Sequence, residues 1–153
     1  MYDALDALLL SSTQWNYTAS NRNDAMIGDG WNQEDLSIWS ADQIEDPADP
    51  DAGVRALHGF CRPWVRAAQG ILVSQVFNGS DTFECVIDVD PDIAADTEIF
   101  VPAHLEIVSL TTGAGVWDWR REHGRMLARL PSGRQVVELK LCVSSPRLSG
   151  AVQ

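Results

Sequence analysis

Gln14-Trp15-Asn16-Tyr17-Thr18, with Gly28-Asp29-Gly30-Trp31-Asn32-Gln33-Glu34-Asp35-Leu36-Ser37-Ile38-Trp39 behind it, decides how the first third of this chain is understood. Aromatic rings stand there beside amides and carboxylates. An indole covers the apolar C–H face of a pyranose, while amides and acids bond its hydroxyls. The same residues have a plainer reading. Tryptophans spread through a loop-rich segment are also the core of a small lid, and composition alone favours core over sugar platform.

Working outward, Tyr2, Leu5, Leu8 and Leu9 recur at helical spacing, and Ala and Leu favour helix. Ser11-Ser12 ends that helix, and Ser12 to Tyr17 reads as a short strand. A helix followed at once by a strand is a unit of parallel α/β architecture. The helix begins at residue 1 without an N-cap, as if cut from something longer. Residues 19–33 are rich in Asn, Asp and Gly and read as a loop, and Glu34 to Trp39 as a short strand or turn. A helix is expected from Asp51 to Phe60, capped by Asp49 or Asp51, with Val54, Leu57, Phe60 and Cys61 on one face. Pro63 interrupts it, and a short helix over Trp64 to Ala68 is expected to end at Gly70.

Beyond Gly70 the period changes to two. Ile71 to Phe77, Thr82 to Val89, Thr97 to Val101, Leu105 to Leu110, Val116 to Arg120, Met126 to Leu130 and Gln135 to Val143 are strand candidates. Asn78-Gly79-Ser80-Asp81, Thr112-Gly113-Ala114-Gly115 and Pro131-Ser132-Gly133 supply turns. Short strands punctuated this way imply an antiparallel β-sandwich. The last ten residues, Ser144 to Gln153, look like a loose tail.

The net charge of −11 is unevenly placed: Met1 to Ala52 holds 11 acidic residues against Arg22 alone, and the rest is nearly balanced. An acidic first third argues against nucleic acid or anionic lipid as partners and is compatible with neutral carbohydrate. Most of these acids read as solvated loop residues. The 45% apolar and 22% charged shares are those of a globular chain. No apolar run approaches the roughly 18 residues of a membrane span, and no basic-then-apolar export signal is visible. A cytoplasmic location is therefore expected, and the glycosylation patterns at Asn16-Tyr17-Thr18 and Asn78-Gly79-Ser80 are expected to be unused. Cys61, Cys85 and Cys142 are sparse and odd in number, so reduced thiols are the default. His58, His104 and His123 lack the spacing of a helical metal site, so neither metal nor cofactor is expected.

These stretches also resemble the end of the catalytic domain of glycoside hydrolase family 5, in its endoglycoceramidase-like and steryl-β-glucosidase-like branch. The resemblance rests on Tyr2 to Ala7, Gln14 to Thr18, Gly28 to Ile38, Arg55 to Leu57, Cys61 to Trp64 and Thr97 to Pro102. It implies an α+β fragment: the last βα unit of a (β/α)8 barrel followed by an antiparallel β-sandwich. The implied boundaries are 1–69 for the barrel end, 70–145 for the sandwich and 146–153 for the tail. It further implies retaining hydrolysis of a β-glucoside or glycolipid, with the remainder of the barrel as partner. Trp15 matches the aromatic floor beneath the sugar, with Asn16, Asn32 and Glu34 as hydroxyl partners; Trp31 and Trp39 either line the aglycone side or pack the loop, packing being favoured for Trp39.

Retaining hydrolysis needs two carboxyl groups about 5 Å apart. In the family both are glutamates on earlier barrel strands, and neither matches a residue here, so no catalytic residue is assigned and the chain alone is expected to be inactive. Glu34 and Asp35 are adjacent, and neighbours on a strand point to opposite faces, which favours a loop-fixing role. Trp117 and Trp119 lie two apart on an expected strand and so share a face: a carbohydrate strip if exposed, sandwich core if buried, with core preferred. Two alternatives stay open, a stand-alone carbohydrate-binding sandwich using those tryptophans and a purely structural buttress.

Overall fold

The computed structural model describes residues 1–22, 24, 26, 35–49, 51–123 and 125–143. The chain divides into two compact units, one of Met1–Leu10 with Cys61–Gln153 and one of Ser11–Phe60.

The first unit is a two-layer antiparallel sandwich. Its strands are β1 (Trp64–Ala67), β2 (Gly70–Phe77), β3 (Thr82–Val89), β4 (Thr97–Phe100), β5 (Leu105–Thr112), β6 (Gly115–Val116), β7 (Arg120–Glu122), β8 (Arg125–Ala128) and β9 (Gly133–Val143). One sheet has the order β1-β4-β8-β7 and the other β2-β3-β9-β5-β6. The period-two reading explains which side chains meet. Phe83, Cys85, Ile87 and Val89 alternate inward on β3, as do Val137, Leu139 and Leu141 on β9. They join Val65, Ile99, Met126 and Ala128 of the other sheet in one apolar cluster. Burying each large side chain there contributes about 1.5–3 kcal/mol.

Buried polar groups tie the layers at one end. Gln69 is buried; its N–H donates to Thr97 Oγ1 at 3.1 Å, and its Oε1 accepts from the Leu130 N–H at 3.1 Å. The turn at Asn78 forms as its composition requires, since Asn78 Oδ1 accepts from the N–H groups of Ser80, Asp81 and Thr82. Gly70 is forced: its φ is +149°, and a Cβ there would come within 2.0 Å of the Asp88 carbonyl oxygen.

Helix α1 (Tyr2–Ala7) packs on β2 within the same unit. Asp3 and Asp6 reach Arg62 at 2.7 and 3.0 Å, and the Arg62 guanidinium lies 5.4 Å from the centroid of the Phe77 ring.

Four expectations are corrected. Residues 64–67 form β1, not a helix, because Trp64 pairs with Phe100 and Val65 with Ile99; sheet pairing outweighs the weak local preference. Of the helix expected over Asp51 to Phe60, α2 (Leu57–Phe60) alone forms. Gly53 and Ala56 take positive φ, and the backbone of residues 53–55 is engaged in a bridge between Trp39 and Val54. The strand expected over Val116 to Arg120 breaks at residues 117–119, where the chain passes from β6 in one sheet to β7 in the other. Trp117 and Trp119 therefore do not share a strand face. Finally, Ser12 to Tyr17 forms no regular strand. The antiparallel sandwich of the α+β reading is present, and the chain is mostly antiparallel strands in two sheets with few and short helices. The tail from residue 144 lies outside the described residues.

Candidate functional site

The second unit is organised around residues 36–40. The Asn16 N–H donates to the Leu36 carbonyl at 3.4 Å, and the Ile38 N–H donates to the Asn16 carbonyl at 2.9 Å, which is the pattern of a single parallel bridge. On its other side the segment pairs antiparallel: Ser40 N–H to Gly53 O at 2.8 Å and Arg55 N–H to Ile38 O at 2.6 Å. Residues 36–40 thus lie between Asn16 and the 53–55 segment.

Polar side chains complete this scaffold. Asn21 is fully buried, and its Nδ2 donates to Asp35 Oδ1 and to the Trp39 carbonyl, each at 3.0 Å. Ser37 is buried, and its Oγ accepts from the N–H groups of Thr18 and Trp39. Trp39 donates its ring N–H to the Ala52 carbonyl at 3.0 Å, and its ring lies 6.1 Å from that of Tyr17. Gly53 fits beneath this ring because a Cβ would meet Trp39 Nε1 at 2.8 Å. Trp39 therefore packs the loop, the role its surroundings in the sequence favour.

Asp35 meets Arg55 at 2.7 Å. The Arg55 hydrogen bond, joined by that from Asn21, holds the Asp35 carboxyl below its ordinary range despite partial desolvation. A carboxylate kept ionised and paired in this way is suited to fixing a loop, not to carrying a catalytic proton.

Trp15 stands apart from that packing. The residue is 72% exposed, whereas the Asn16 backbone beside it is fixed by its bonds to Leu36 and Ile38, and the peptide joining them is cis. Tyr17 is also exposed. The unit thus presents an open indole on an anchored backbone. Trp31, Asn32 and Glu34, expected to line the same site, lie outside the described residues. Among the described residues no group of three or more His, Cys, Asp or Glu side chains is placed to hold a metal ion. Asn21, Ser37 and Arg55, which hold the loop carrying Asp35 and Trp39, were not legible as a set. Their distant partners are 14 to 20 positions away, and no local motif marks them.

The described residues thus comprise a two-sheet antiparallel unit and a loop-rich unit with exposed aromatic residues. The chain is similar in sequence to a glucosylceramidase and in fold to a sterylglucosidase. It is 35% identical over 114 residues to a glucosylceramidase of Rhizopus delemar, covering 65% of this chain and 16% of that protein. Among solved structures it is similar to sterylglucosidase 1 of Cryptococcus neoformans, with a TM-score of 0.73 and 26% identity over 99% of this chain and 24% of that one. The tris-bound form of that enzyme gives a TM-score of 0.73 at 24% identity over 92% of this chain. The chain thus spans about a sixth of its curated relative and about a quarter of the solved one. No protein-family model matches it.

Proposed function

We propose that this chain is the C-terminal part of a retaining β-glycosidase that acts on glycolipid-type substrates such as glucosylceramide or a steryl glucoside. The Ser11–Phe60 unit would supply the last portion of the barrel and its aromatic floor, and the sandwich would be its accessory domain. The single observation that carries this reading is Trp15. By resemblance it matches the family's sugar-stacking residue, and it is 72% exposed beside a backbone anchored by Leu36 and Ile38. Asn16, Trp31, Asn32 and Glu34 are proposed as further substrate contacts, and the rest of the barrel as the partner that brings both catalytic glutamates. A cytoplasmic location belongs to the same proposal. No described helix is long and apolar enough to cross a membrane.

Chemically, the chain's own residues would bind and orient. An indole beneath the sugar ring holds it against the reacting carboxylates, and binding energy used for placement lowers the barrier. Proton transfer and nucleophilic attack would fall to the partner's glutamates. The test is direct. The chain alone, incubated with a fluorogenic β-glucoside, should release no fluorophore above buffer, and turnover that survives repurification would overturn the proposal.

A further inference from the structure

A second site lies in the sandwich, away from Trp15 in the sequence and in the other compact unit. Where the chain leaves β6 and crosses to β7, the sheet edges part. Strand β7 pairs with β8 over Arg120–Glu122 and Leu127–Arg125, so Ala128 and Arg129 run past the end of that pairing. The crossing residues 117–119 and this end of β8 line an open depression of about 620 Å³. That falls within the roughly 300–1,000 Å³ of small-molecule sites.

Its walls are specific. Trp117 is fixed: its N–H donates to the Leu110 carbonyl at 3.0 Å, its Nε1–H donates to the Arg129 carbonyl at 2.6 Å, and the ring packs on the core. Trp119 is 36% exposed, leaving part of its ring to the depression it lines. Asp118, Arg120 and Arg129 bring polar atoms to the same space, with Leu127 as an apolar wall. The two cations are already engaged. Arg120 pairs with Asp96 at 2.6 Å and Glu122 at 2.8 Å, and Arg129 Nη1 donates to the Ala95 carbonyl at 3.1 Å. Arg120 is balanced by two carboxylates, and the Asp118 carboxylate lining the same space opposes the Arg129 charge, so the pair offers little to an anion but can still bond a hydroxyl. Asp118 adds an exposed acceptor, which repels anions further. Aromatic faces, hydroxyl-bonding groups and neutralised charge together select an uncharged polyhydroxylated ring.

We infer that the Trp117–Trp119 depression is a binding site for a neutral pyranoside, presented by a free saccharide or by a glycolipid headgroup, and independent of Trp15. The experiment is a titration of the full chain with methyl β-D-glucopyranoside and with cellobiose, followed by amide chemical shifts and tryptophan fluorescence. Phosphatidylcholine vesicles with and without glucosylceramide form the membrane arm. Saturable shifts clustered at residues 116–129 are expected from at least one saccharide source. Trp119→Ala should weaken that binding about tenfold, equivalent to roughly 1.4 kcal/mol. Ile71→Ala, at an exposed position of β2 outside both proposed sites, should leave it unchanged. The Trp119 ring is partly exposed, so the variant should keep its fold, checked by an unchanged amide spectrum away from the depression. Asp118→Asn provides a second variant that preserves packing. It should weaken pyranoside binding without admitting inorganic phosphate. The inference is overturned by absence of shifts at residues 116–129 with every probe, by equal affinity in Trp119→Ala, by equal binding to vesicles lacking the glucoside, or by phosphate competing at these residues. Shifts at residues 116–129 are read apart from those of the Ser11–Phe60 unit, so this site and the barrel-floor proposal fail separately.

Discussion

Asp35 and Arg55 form the ionic contact that steadies the aromatic unit. Arg55 lowers the Asp35 pKa in the folded protein, so the unfolded chain binds a proton more readily. The pair's contribution is therefore fully present above the model-peptide value near 3.8 and is lost as pH falls below it. Asp35→Asn should cost about 1 kcal/mol at neutral pH, the scale of a partly exposed ion pair. It should also flatten the acid limb of a pH–stability curve, and equal slopes for variant and parent would refute the role assigned to Asp35. Burial, more than its neighbour Glu84, pushes the Cys85 thiol up to about 12. Cys142 is exposed. Native-state alkylation should accordingly modify Cys142 and spare Cys85. Mass spectrometry of the labelled peptides checks this, and rapid labelling of Cys85 would mean that β3 is not in the core.

Among the elements, the sandwich was legible because its signal is local. Alternation on β3 and the Asn78-Gly79 turn before it each specify themselves within a few residues, and β9 reads the same way. Strand β1 was not, because Trp64 to Ala67 alternates too briefly and becomes a strand only through pairing with β4. The aromatic unit was least legible. Its order comes from isolated bridges and from Asn21 and Ser37, whose partners are distant in sequence, so periodicity carries no trace of them. The Trp15 position was readable only as a family pattern. The Trp117–Trp119 spacing misled, because the crossing between sheets breaks the period on which the shared-face argument rests. Two substitutions test the elements. Phe83→Ala removes a fully buried ring and should destabilise the sandwich by about 3–5 kcal/mol in denaturant unfolding. Gly70→Ala should cost about 1–3 kcal/mol or more, since its Cβ would drive against the β3 backbone at Asp88. A neutral result at Gly70 would contradict the close approach of β2 and β3.

At the scale of the whole molecule, the chain is two units with different jobs. The sandwich carries its own apolar core, with strand pairing and buried Gln69 to fix it. The Ser11–Phe60 unit is held mainly by polar bonds and presents aromatic surface in place of burying it. The proposal makes this unit the closing part of a larger catalytic body, because an exposed indole on a fixed backbone is useful where a substrate covers it. The central claim is that Trp15 is that floor. It is tested by joining this chain to the preceding part of the Cryptococcus sterylglucosidase in place of that enzyme's matching segment, and measuring steryl glucoside hydrolysis with and without Trp15→Ala. The account predicts an active chimaera whose kcat/KM falls about a hundredfold on that substitution, while Trp119→Ala leaves the hydrolysis of a soluble glucoside intact. An active chimaera indifferent to the loss of Trp15 would contradict it.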